Sequence, residues 1–171
     1  MTRYCSSFTK CMIRYCYVDT CVLSDILKQY NALYPYQLYQ CSNFIKPRML
    51  PEINRAVESM GDSGMILTSV FAFIEIMNKF NEIFKDTNIM PYSLSNFIKQ
   101  PPAWITIENL TEDVSLHLCD VPLSTPNGES ISGDDAIHIA TALSRGEELS
   151  FCTTDSRLQQ LSFENISFIA N

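Results

Sequence analysis

The stretch RYCYVDTCVLSDIL (residues 14–27) runs a short aromatic segment into one carboxylate and then into apolar residues at helical spacing. Residues 14–18 are continuous rather than alternating, which reads as a strand buried on both faces. Val22, Leu23, Ile26 and Leu27 repeat at the period of a helix, and Thr20 can cap it. Asp19 stands at the junction, where a lone carboxylate is costly to desolvate unless something pairs with it.

The same grammar recurs along the chain. MILTSV (65–70) is a second buried strand, and Ser69 can cap the helix that follows it, FAFIEIMNKFNEIF (71–84). The prolines of YPYQLYQCSNFIKPRMLP imply an irregular segment. Pro51 then opens a helix carrying Ile53, Val57 and Met60, ended by Gly61 or Gly64. PYSLSNFIKQPP is a short helix closed by Pro101 and Pro102, WITI is a strand or edge segment, and Thr111 with Glu112 and Asp113 opens another helix. PLSTPNGESISG is a polar loop. DDAIHIATALSRG is a nearly all-apolar helix begun by Ser132 and stopped at Arg145-Gly146. LSFCTTD is a third strand, ending on Asp155, and ISFIA is a last one. Strands alternating with helices predict a three-layer α/β/α fold around a mostly parallel, twisted sheet. The 171 residues read as one domain, 1–171, with irregular or helical insertions around 31–61 and 86–131.

Composition narrows the function classes. A formal charge of −7 argues against a broad cationic nucleic-acid surface, while leaving room for a local phosphate-binding groove. No apolar run reaches the ~20 residues a bilayer span needs, so no membrane is expected. The first twenty residues lack the apolar stretch of a signal peptide, so a cytoplasmic protein is expected. Seven cysteines, at 5, 11, 16, 21, 41, 119 and 152, include no Cys-x-x-Cys pair, and the two histidines, His117 and His138, lie far from most of them. Neither a zinc site nor a disulfide framework is expected, and most of these cysteines read as small buried hydrophobes.

The acids fall in telling places. Asp19 and Asp155 each follow an apolar strand directly, at the edge of an open parallel sheet where ligands bind. Asp135 lies in the first turn of the buried helix, and Glu75 interrupts an apolar run one to two turns into another. Converging at one sheet edge, the four would call for a divalent ion, with oxygen ligands favouring Mg2+ or Mn2+. Each also has an ordinary structural reading. Asp19 could cap a helix, Asp134 and Asp135 could complement a helix dipole, Glu75 could pair with Lys79 at i,i+4, and Asp155 could cap a helix over SRLQQL.

Taken in order, YVDTCVL, TSVFAFIEI, DDAIHIATAL and FCTTDSRL resemble the PIN-domain ribonucleases, including the VapC-type toxins of toxin–antitoxin pairs. The resemblance spans residue 15 to the end of the chain. It implies a PIN-like fold and an acidic metal site of Asp19, Glu75, Asp135 and Asp155. Asp135 is taken over Asp134 because Ala136 and Ala140 then fall in the family register, and Thr153 supplies a supporting hydroxyl. Cys21 stands where many relatives carry Asn or Ser.

The implied activity is divalent-metal-dependent endonucleolytic hydrolysis of RNA, with Mg2+ or Mn2+ as cofactor, an antitoxin as partner and a homodimer as a further option. Arg14, Lys46, Arg48 and Arg157 are candidates for contacting RNA phosphate. The alternative is a catalytically silent PIN-like scaffold acting as a binding subunit of a larger assembly. A receiver-type phosphoacceptor domain lacks its late-strand lysine here, and an Asp-x-Asp phosphatase fails because Cys21 occupies the second acid position.

Overall fold

In the computed structural model, residues 14–33, 64–79, 91–103 and 105–169 are described. The irregular segment, the helix opened by Pro51, the end of the helix over 71–84, and Lys46 and Arg48 lie outside these residues, as does the side chain of Arg14.

The first predicted strand is observed as β1 (Arg14–Val18), followed by α1 (Thr20–Leu33). β2 (Gly64–Ser69) leads into α2 (Val70–Asn78), whose first turn is closed by the Ser69 hydroxyl accepting the Ala72 N–H at 3.2 Å. α3 (Pro91–Lys99), β3 (Ile105–Glu108) and α4 (Glu112–His117) come next, α4 running into a 3-10 turn at Leu118–Asp120. Thr111 caps α4 as its position suggests, accepting the Val114 N–H at 3.4 Å. α5 (Gly133–Leu143) is followed by β4 (Leu149–Cys152) and β5 (Ile166–Ile169). Gly146, at φ +63°, takes the left-handed conformation that turns the chain after α5. The helix expected over SRLQQL is only a 3-10 turn, Leu158–Gln160.

All four strand pairings are parallel, in the order β3-β2-β1-β4-β5. β1 is therefore central and cannot face water on either side. Alternate side chains explain why its sequence is apolar throughout. Cys16 and Val18 pack with α1, α2 and α3, while Tyr17 packs with α4 and α5 on the opposite face. The result is a three-layer α/β/α, PIN-like architecture, as the element order predicts. The 86–131 stretch supplies α3, α4 and the edge strand β3.

The chain runs outward from β1 through β2 to β3, then returns to the other flank of β1 for β4 and β5. That reversal opens a crevice beyond the C-terminal ends of β1 and β4, where an open α/β sheet holds its ligands.

Candidate active site at the strand ends

Strand register brings the first acids together. Val18 pairs with Cys152, so the residues that follow them, Asp19 and Thr153, leave the sheet side by side. Asp19 is 5% exposed, its N–H donates to the Cys152 carbonyl at 3.4 Å, and its Oδ1 accepts the Val22 N–H at 3.0 Å. The capping expected of Thr20 thus falls to Asp19, because Thr20 turns its hydroxyl to Glu75 instead. Burial pushes the Asp19 carboxyl above its ordinary range. Hydrogen bonds from Thr153 and Val22 and the charge of His138 oppose that shift, whereas the negative charge of Asp135 adds to it. Thr153 also accepts the Asp155 N–H at 2.9 Å, so one buried hydroxyl ties the two strand-end acids together.

Asp155 and Asp135 share a cation from the chain itself. Arg157 donates from Nε to Oδ1 and Oδ2 of Asp155 at 3.1 and 3.0 Å, and from Nη2 to Oδ2 at 2.5 Å. Its Nη2 also reaches Asp135 Oδ2 at 3.3 Å, and its Nη1 the Ser130 carbonyl at 3.2 Å. The Arg157 side chain holds the Asp155 carboxyl below its ordinary range against the opposing effect of burial. Arg157, a candidate in the sequence for contacting RNA phosphate, instead pairs with two of the acids.

Asp135 has a second task. It forms a capping box with Ser132, whose hydroxyl accepts the Asp135 N–H at 3.0 Å and donates to Asp135 Oδ2 at 2.7 Å. Asp134, one residue earlier, is exposed. We expect Asp135→Ala to lower stability by about 1 kcal/mol and Asp134→Ala by a few tenths, read from urea unfolding. Equal losses would contradict the capping assignment.

Glu75, on α2, is reached from two other helices. Thr20 of α1 donates to its Oε2, and His138 Nε2 of α5 lies 2.6 Å from the same oxygen and 3.0 Å from the Thr20 hydroxyl. The other ring nitrogen, Nδ1, lies 2.9 Å from the Tyr17 hydroxyl beneath it. These partners are satisfied when Tyr17 donates to Nδ1 and Nε2–H donates to Glu75. Burial raises the Glu75 carboxyl, but the bonds from His138 and Thr20 outweigh it and hold the group below its ordinary range. Lys79 acts on Glu75 through its charge, while the hydrogen bonds come from His138 and Thr20. Burial keeps Tyr17 a neutral phenol by pushing its ionisation well upward.

Three of the four sequence-predicted acids thus fall into two bonded groups, Asp135 and Asp155 bridged by Arg157, and Glu75 held by His138. Asp19 is coupled electrostatically to Asp135 and His138. Among the described residues, no three His, Cys, Asp or Glu side chains stand close enough to hold a metal ion in this arrangement. Of the cysteines, Cys16 and Cys152 are buried with their sulfurs 3.0 Å apart, whereas Cys21 and Cys119 are exposed.

Three partners went unread in the sequence: Tyr17, His138 and the inward role of Arg157. Tyr17 is two residues before Asp19 on a strand, hence on the same face, and His138 is one helical turn after Asp135. Those spacings were a usable signal. No protein-family model matches the sequence, and no curated protein matches it significantly. Among solved structures, the chain is similar to one in the crystal structure of VapBC2 from Rickettsia felis bound to a DNA fragment from their promoter. The match has 11% identity and a TM-score of 0.57, over 91% of this chain and 98% of that one. At that identity the likeness is one of fold, and it extends over nearly the whole of both chains.

Proposed function

We propose that this protein is a divalent-metal-dependent endoribonuclease and the toxin partner of an antitoxin protein. The observation that carries the reading is Asp19, a buried carboxylate beside Thr153 at the reversal of strand order, electrostatically coupled to Asp135. The fold likeness to a chain of VapBC2 supports a toxin–antitoxin setting and a protein partner. No helix among the described residues is long and apolar enough to cross a membrane.

The donor types, though not their present spacing, suit Mg2+ or Mn2+. The donors are carboxylate oxygens, and among the described residues no arginine or lysine ion-pairs with Asp19. Asp19, Asp135 and Asp155 would hold the ion, with Glu75 at the rim. When bound, the ion supplies Lewis-acid polarisation of the phosphodiester and acidification of a water. The chain's own part is positional. Thr153 fixes Asp19, the capping box fixes Asp135 at the mouth of α5, and His138 with Thr20 fixes Glu75 by Oε2. That geometry leaves Glu75 Oε1 as the atom to take a proton from an attacking water.

The test is cleavage of total RNA by wild type, Asp135→Asn and Asp134→Asn, in manganese and in chelator. We expect cleavage in manganese only, a loss of roughly a hundredfold or more in Asp135→Asn, and near-wild-type activity in Asp134→Asn. Cleavage that survives chelation would sink the metal mechanism. A second reading, the silent scaffold, is favoured by the Arg157 clamp, which already satisfies two of the acids. The absence of cleavage by any form would select it.

A further inference from the structure

Phe71 is an aromatic side chain that the core leaves over. On α2, Ala72, Phe73 and Ile76 are buried, whereas Phe71 is only half-buried. Other half-buried rings among the described residues, Tyr15, Phe163 and Phe168, pack on the apolar cluster under α4 and α5. Phe71 belongs to neither apolar cluster and packs on neither. Its ring neighbour among the described residues is His138, at a centroid distance of 5.6 Å and an interplanar angle of 63°.

Phe71 stands four residues before Glu75, so both side chains lie on one face of α2. Both also meet His138, Glu75 at Nε2 and Phe71 at the ring. The phenyl ring therefore borders the crevice beside the Glu75 carboxylate. An edge-to-face contact occupies at most one face of that ring, and His138 itself is buried beneath it. The charge of −7 bears on what the remaining surface could bind. A polyanion gains little counterion release from such a protein, so it needs contacts that charge does not govern. Stacking of a base on an aromatic ring is such a contact, and every base can make it.

Resting on the nuclease reading above, we propose that Phe71 is a stacking platform for one unpaired base of the RNA substrate. The stacked base lays its strand across the crevice and brings the adjoining phosphate toward Asp19 and Glu75. Bases in a duplex already stack on one another, so the preferred substrate is a single strand or an unpaired loop. Phe71 is a positioning residue that acts on the RNA and takes no part in the chemistry.

The experiment measures binding of a fluorescein-labelled single-stranded RNA oligonucleotide in chelator by anisotropy, then kcat and KM for its cleavage in manganese. Wild type, Phe71→Leu and Phe71→Trp are compared. Leucine keeps apolar bulk but has no π-face. We expect Phe71→Leu to raise Kd and KM roughly five- to a hundredfold with kcat little changed, and Phe71→Trp to bind at least as tightly as wild type. A lower kcat at unchanged KM would overturn the proposal, because Phe71 would then act only by packing on His138. Wild type alone supplies a second measurement should Phe71→Leu misfold. An oligonucleotide of abasic residues keeps every phosphate and should bind more weakly, and equal affinity would refute the stacking. Binding that depends on Phe71 without cleavage by any form would end the nuclease reading and leave the stacking standing. Neither binding nor cleavage by wild type would overturn both.

Discussion

Asp19→Asn is expected to lower manganese-dependent RNA cleavage by about 10²–10³-fold while making the metal-free protein more stable. Asparagine keeps the oxygen that accepts the Val22 N–H, so the start of α1 survives and only the charge is lost. The two effects have one origin. The carboxylate that would bind a cation is held in a place that penalises its negative charge when no cation is there. The sign with pH follows from the raised folded-state pKa. Below the ordinary carboxylate range Asp19 is neutral in both states and costs nothing. As pH rises through the raised value, the folded state carries the full penalty. The stability advantage of Asp19→Asn should thus be largest at neutral pH and vanish on acidification toward about pH 3. Paired urea titrations at several pH values cancel the opposite contribution of Asp155, whose lowered pKa stabilises at neutral pH and is lost in acid. A difference independent of pH would show that Asp19 is not destabilised by its charge.

The second large effect is structural and lies directly under the site. Tyr17 is fully buried, stacked on Phe151 with ring centroids 4.9 Å apart, and its hydroxyl meets His138 Nδ1. Tyr17→Ala should cost about 3–5 kcal/mol, enough to unfold a marginal domain. Tyr17→Phe keeps the ring but orphans Nδ1, and should cost about 1–3 kcal/mol. If Tyr17→Phe matches wild type in chemical denaturation, the Tyr17–His138 bond contributes nothing to holding Glu75.

Much of the fold was legible because β1, β2 and β4 are short apolar runs ended by a cap or an acid. Ser69, Thr111 and Ser132 each cap the helix their sequence announces. SRLQQL misled in the element's length, not its start: Asp155 Oδ1 accepts the Arg157 N–H as a cap would, but only a 3-10 turn, Leu158–Gln160, follows. The site was legible as a set of acids but not as a set of pairs. Asp155 and Arg157 are two residues apart, a spacing that carries no fixed meaning outside regular structure. Asp135 meets Arg157 only through the tertiary fold. His138 was signalled by its place one helical turn after Asp135, but the partners it meets were not. Glu75 and Thr20, which it touches, lie 63 and 118 residues away in sequence.

The central position of β1 has a consequence for biosynthesis. Its partner β4 is made far later, the sulfurs of Cys16 and Cys152 meeting across a separation of 136 residues. Contacts so distant in sequence form only after a long loop is closed, which makes such a topology slow to assemble. A ribosome that has released β1, α1, β2 and α2 has exposed Asp19 and Glu75, but not the strand or helix that would complete the crevice. An activity dependent on that crevice is therefore withheld from the growing polypeptide until translation has passed Asp155.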